Sequence, residues 1–89
     1  MPDERAPRLP PPPFWRTYHF AFDVMATRRY LDPMDINRII AAPLKKRRGA
    51  NGRIEIWGFS PAADDYLKIV LLADGETVHT AYKDRDFAP

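Results

Sequence analysis

"RIEIWGFSPAADDYLKIVLLADGETVHTAYKDRDF" (53–87) decides the fold. Apolar and polar residues alternate through most of it, and "SPAADD" (60–65) and "DG" (74–75) interrupt the alternation with turn-forming residues. The stretch therefore reads as three strands, roughly 53–59, 66–72 and 76–82, in an antiparallel meander. Asp74-Gly75 between two apolar runs signals a two-residue hairpin loop. That loop sets a register in which Leu72 faces Thr77, Leu71 faces Val78, Val70 faces His79, Ile69 faces Thr80, Lys68 faces Ala81 and Leu67 faces Tyr82. Opposed residues share a face of the sheet, and faces alternate along each strand. Leu67, Ile69, Leu71, Val78, Thr80 and Tyr82 then form the predicted core face, and Lys68, Val70, His79 and Ala81 the open face. A loop over 60–65 places Phe59 opposite Tyr66. Ile56 then meets Ile69 and Ile54 meets Leu71 on the core face, while Trp57 meets Lys68 and Glu55 meets Val70 on the open face.

Upstream, "DPMDINRIIAAP" (32–43) reads as a helix. Asp32 is a good N-cap, Pro33 suits the first helical position, and Asp35 favours the positive end of the helix dipole. Ile36, Ile39 and Ile40 make its apolar stripe, and Pro43 ends it. Before it, "WRTYHF" (15–20) reads as a short strand followed by a helix over about 21–30, with a single helix from Phe14 to Tyr30 as the alternative. Arg28 and Arg29 read as helix-surface charges, either of which could reach toward the sheet edge. "LKKRRGANG" (44–52) reads as a turn-rich loop. Residues 1–13 hold six of the ten prolines and read as an extended or disordered arm, leaving 14–89 as a single domain. Helices followed by a meander predict an α+β fold: one or two N-terminal helices packed on a three- to four-stranded antiparallel sheet.

The totals narrow the functional classes. Eighty-nine residues suffice for one small core. The absence of cysteine rules out disulfides and thiolate metal sites. No apolar run approaches the ~20 residues that cross a bilayer. The N-terminus carries Asp3 and Glu4 and has no apolar segment of the signal-peptide kind, so the cytoplasm is the expected location and no membrane partner is expected. The net charge is +2, but "KKRRGANGR" (45–53) concentrates five cations with no anion. Lys45, Lys46, Arg47, Arg48 and Arg53 are therefore the candidate contacts to a nucleic-acid backbone.

The predicted open face carries the candidate chemistry. Its register aligns Glu55, Val70 and His79 in a row, with backbones of Glu55 and His79 roughly 10 Å apart across two strand spacings. A carboxylate and an imidazole on either side of a phosphodiester suit general-base and general-acid cleavage. In RNA the 2′-hydroxyl is the nucleophile, so neither metal nor other cofactor is needed. Lys68 would stabilise the developing charge. Trp57 is expected to be partly buried against the 60–65 loop, or else to offer a face for an unpaired base. The two histidines are sixty positions apart and have no metal-ligand spacing.

"ATRRYLDPMDINRIIAAP", the basic segment after it, and "NGRIEIWGF…YLKIVLLADGETVHTAYKDRDF" together resemble small bacterial domains of the RelE/BrnT-like toxin class, within the barnase/RelE-like ribonuclease fold. The resemblance spans about residues 19–87. It implies metal-independent RNA cleavage, with RNA or ribosome-bound mRNA as substrate and a cognate antitoxin as partner. It adds Arg29 and Arg85 to Glu55, His79 and Lys68 as the catalytic set. Where such domains place a histidine at the start of the first helix, this chain has Ala21, with His19 two residues earlier, which shifts that role to His79. The expected function is thus a toxin-like endoribonuclease. The alternatives are a non-catalytic RNA- or ribosome-binding domain, which needs only the basic segment, and a protein-interaction module.

Overall fold

A computed structural model describes residues 14–49 and 51–89; the proline-rich arm expected at 1–13 lies outside the described residues. In chain order the elements are β1 (Trp15–Arg16), a π-helical turn (Phe20–Val24) running directly into α1 (Met25–Thr27), α2 (Pro33–Ala41), β2 (Lys45–Arg48), β3 (Ile54–Ser60), β4 (Asp65–Leu71) and β5 (Thr77–Lys83). The strands form one sheet in the order β1-β5-β4-β3-β2, with β1 parallel to β5 and the other pairs antiparallel. The α+β class is as expected. Among the described residues, however, the sheet has five strands and is mixed, where three or four antiparallel strands were expected.

The unexpected strand, β2, comes from a segment with little apolar alternation. β2 is the "KKRR" run that reads as loop, and it is an edge strand. An edge strand does not need an apolar face, and solvated charge suits it well. The turn that returns the chain is confined to the residues between β2 and β3. Gly52 adopts φ +82° and donates its N–H to the Gly49 carbonyl, and the Asn51 side chain accepts from the Arg53 N–H. β1 is much shorter than the expected 15–20 strand. The Thr17 hydroxyl accepts from the Phe20 N–H at 3.1 Å, so helical structure starts at once. That helical stretch also ends early. Arg28 leaves it and donates to the Ala81 carbonyl and the Thr80 hydroxyl, and the Tyr30 hydroxyl accepts from the Lys83 N–H. Arg28 thus reaches the sheet edge rather than standing on the helix surface. Together with Tyr30 it covers the edge of β5 beyond the reach of β1.

α2 forms as its sequence dictates. The Asp32 carboxylate accepts from the Met34 N–H at 2.9 Å, Pro33 occupies the first turn, and Ile36 and Ile39 are buried. Both helical segments pack on one face of the sheet, over Ile54, Ile56, Leu67, Ile69, Leu71, Val78 and Ala81. Gly58, in the middle of β3, is set by this packing. A Cβ there would lie 2.6 Å from the Ile39 side chain, so the glycine lets α2 approach the sheet. Gly58→Ala is expected to cost roughly 1–3 kcal/mol through this overlap. Urea unfolding would show it, and Gly58→Ala combined with Ile39→Val should recover part of the loss.

The β3–β4 register is the expected one throughout, from Ile54 opposite Leu71 to Phe59 opposite Tyr66. The β4–β5 register holds only at the turn. Leu71 faces Val78, but Val70 then faces Thr80, Ile69 faces Ala81, Lys68 faces Tyr82 and Leu67 faces Lys83. His79 is the extra residue of a β-bulge. Ala81 therefore enters the core at 0 % exposure, and Thr80 and Tyr82 move to the open face, reversing their expected places. The loop itself also differs from a two-residue turn. Only Gly75 in it takes a positive φ, and the Asp74 carboxylate accepts the N–H groups of Glu76 and Thr77. The closing bond runs from the Leu72 N–H to the Thr77 carbonyl.

Candidate nucleic-acid interface

The face of the sheet away from the helices gathers most of the charge. β2 contributes Lys45, opposite Trp57, and Arg47, opposite Glu55. Lys46 and Arg48 pair with Ile56 and Ile54 and so belong to the other face, at its exposed margin. Across the open face the successive rows are Arg47–Glu55–Val70–Thr80 and Lys45–Trp57–Lys68–Tyr82.

Glu55 sits between two cations. Its Oε1 accepts from Nε of Arg47 at 2.8 Å and from Nη2 of the same guanidinium, and its Oε2 lies 3.3 Å from Nζ of Lys68. The Arg47 hydrogen bonds hold its carboxyl below the usual range. Burial opposes this, and Lys68 adds to the lowering. For Lys68, burial works against the charge, but hydrogen bonds to Tyr82 and Glu55 outweigh it and raise its pKa. Both groups are therefore ionised across the physiological range. A carboxylate so stabilised is a poor proton acceptor, since a general base works best with a pKa near the operating pH.

Trp57 is in the expected place but is not open. It is only 4 % exposed. Its indole N–H donates to Asp84 at 2.9 Å, and the Phe87 ring lies parallel to it, 10° between planes, with centroids 5.7 Å apart. Lys45, Arg47 and Lys68 each stand 5.2–5.5 Å from its ring centroid. The cover is the C-terminal "DRDF" rather than the 60–65 loop. Phe87 also meets Tyr66 edge-on at 5.3 Å, and Tyr66 meets Phe59 in the same way. An aromatic layer under the tail forms a second, smaller apolar cluster on the charged face.

The expected catalytic set is not brought together. Glu55 and Lys68 meet. The bulge puts Thr80, not His79, in the Glu55 row, and the His79 ring packs on His19, with centroids 5.1 Å apart. His19 in turn lies 3.2 Å from the Asp23 carboxylate. Arg29 is in the exposed turn after α1. Arg85 is at the far end of β5, 82 % exposed and 3.9 Å from Asp65. Arg53 lies in the β2–β3 turn, half-buried, with its backbone in the turn hydrogen bonds. Among the described residues no three His, Asp or Glu side chains are placed to hold one metal ion, and no helix is long and apolar enough to cross a membrane.

Sequence reasoning placed Tyr82 in the core and gave no role to Asp84 or Phe87. A lone aromatic in the polar segment that follows the last strand was the available signal for Phe87. Searches of protein-family models, curated proteins and solved structures find no match to this chain. The resemblance to RelE- and BrnT-like domains rests on the layout of the sequence alone.

Proposed function

We propose that this protein is a non-catalytic RNA-binding domain that holds single-stranded backbone along β2. The observation that carries the reading is β2 itself: four consecutive cations, all exposed, on the terminal strand of the sheet. Alternation sends two of them to each face, so the strand presents positive charge on both sides of one edge. The same charges keep copies of the chain from pairing edge to edge. RNA, rather than DNA, is the partner that the resemblance to ribonuclease-fold domains supplies, and ribosome-bound mRNA and an antitoxin are the partners it adds. Binding needs neither His79 nor a free Glu55, whereas cleavage by that pair needs both at one phosphate.

The test compares the parent with a variant in which Lys45, Lys46, Arg47 and Arg48 are all replaced by Gln, using a fluorescein-labelled oligouridine over a salt series. Each lost phosphate contact on a single strand removes about 0.7 from the slope of log affinity against log salt. The variant should bind weakly with a flattened slope. An unchanged slope would remove β2 from the binding surface. Cleavage of the oligonucleotide by the parent in EDTA, with 2′,3′-cyclic phosphate ends, would overturn the non-catalytic reading.

A further inference from the structure

We infer that Arg47 and Lys68 form a phosphate subsite on the open face, and that Glu55 is its built-in occupant. The inference rests on the RNA-binding reading and specifies where one phosphate goes. A phosphate on an arginine needs two oxygen–guanidinium contacts and gains from a second cation on another oxygen. Glu55 reproduces that arrangement. One oxygen takes both Nε and Nη2 of Arg47, and the other faces Nζ of Lys68. The three side chains come from three adjacent strands, and the sheet registers Arg47 with Glu55 directly. The site is therefore built by the fold rather than by flexible surface chains.

Exposure says which partner can be exchanged. The Arg47 side chain is 56 % exposed, whereas those of Glu55 and Lys68 are 18 % and 17 % exposed. An incoming phosphate reaches Arg47 from solvent, on the edge strand that the other cations line. Lys68, with three N–H donors, can hold Glu55 and a phosphate oxygen at once, so the carboxylate keeps a partner. In the absence of ligand the carboxylate satisfies Arg47 and lowers the positive field of the face. The ligand class is the phosphodiester of an RNA backbone: each phosphate carries one negative charge, as the carboxylate does, so displacement depends on the neighbouring phosphates held along β2. Glu55 sets a threshold: weak or singly contacting anions do not displace it, while a backbone already held by Lys45, Lys46 and Arg48 does.

The experiment uses the full chain and Glu55→Gln, which keeps the shape and removes the charge. Against labelled oligouridine, E55Q should bind roughly five- to tenfold tighter than the parent, the effect of removing one partly exposed competing ion pair. Its salt slope should stay close to the parent's, because the backbone already reaches Arg47 there and no contact is added. Inorganic phosphate provides a second readout independent of RNA. It should raise the melting temperature of E55Q more than that of the parent, and the gain should vanish in E55Q combined with Arg47→Gln. Glu55→Ala, read in the same two assays, serves if E55Q folds poorly. If neither Glu55 variant gains affinity or phosphate-dependent stability, or if the gain survives loss of Arg47, the subsite is refuted while β2 binding stands. If RNA binding fails in the parent but phosphate stabilises E55Q through Arg47, the subsite stands and the RNA reading falls.

Discussion

Ile69→Ala is expected to lose roughly 2–5 kcal/mol of stability. Ile69 is fully buried in β4, between Ile56 of β3 and Ala81 of β5, under the helices. The loss combines the transfer energy of the removed carbons with a cavity that a flanking alanine cannot fill. Small domains hold on the order of 0.1 kcal/mol per residue, so the loss removes roughly a quarter to a half of the margin, and the variant should melt well below the parent. His79→Ala, at the bulge and only partly buried, should cost far less. Urea melts of the two variants check the pair. A larger loss from His79 than from Ile69 would mean that β5 is held mainly through the bulge and not through its inward residues.

Asp35→Ala is expected to be nearly as damaging, by roughly 3 kcal/mol. The carboxylate is 6 % exposed on α2, and it accepts from the Ser60 hydroxyl at 2.8 Å, the Ala62 N–H at 3.1 Å and the Arg38 guanidinium at 2.9 Å. Its removal leaves the buried Ser60 hydroxyl and the Ala62 N–H without that acceptor and releases the 60–65 turn from the helix. Burial works against the charge on Asp35, but the hydrogen bonds from Ser60, Ala62 and Arg38 outweigh it and lower its pKa. A carboxyl whose pKa is lower folded than unfolded contributes its stabilisation fully above the unfolded value, ordinarily near 3.9. It loses that contribution as pH falls through the folded value. The parent should therefore lose stability progressively below about pH 4, and Asp35→Ala should show a shallower acid limb from a lower plateau. Chemical unfolding at a series of pH values measures both. Parallel acid limbs in the two proteins would mean that Asp35 is not a source of the acid sensitivity.

The sequence carried the β3–β4 pairing in full because both strands alternate cleanly and the turn between them is short. The same register placed Lys68 beside Trp57 and within reach of Glu55. β5 misled because its pattern is ambiguous at one residue. Val78 and Ala81 both point into the core, a spacing of three that an unbroken strand does not allow. The apolar character of Ala81 against the polarity of Thr80 was the only trace of a bulge. β2 was illegible for a different reason: four cations have no apolar period, and strand pairing at an edge is decided by the neighbouring strand and the glycine turn. Arg47 as the partner of Glu55 was hidden with it. Asp35 was visible as a helix-dipole residue, but its role as acceptor for Ser60 and Ala62 depends on a helix-to-turn contact that no local pattern encodes.

The short parallel pairing of Trp15 and Arg16 with Thr77 and Val78 has a consequence for how the chain acquires its structure. β1 closes on β5, so this sheet cannot be completed until the chain from Trp15 through Val78 has been made. Contacts of such long sequence separation are the slow step in folding, because the loop-closure entropy must be met before they form. The β3–β4 hairpin, by contrast, is local and complete within its own turn, and we expect it to form first. During synthesis, α2 and that hairpin would assemble while β1 waits for β5. Loss of β5 would therefore unsettle β1 and β4 together.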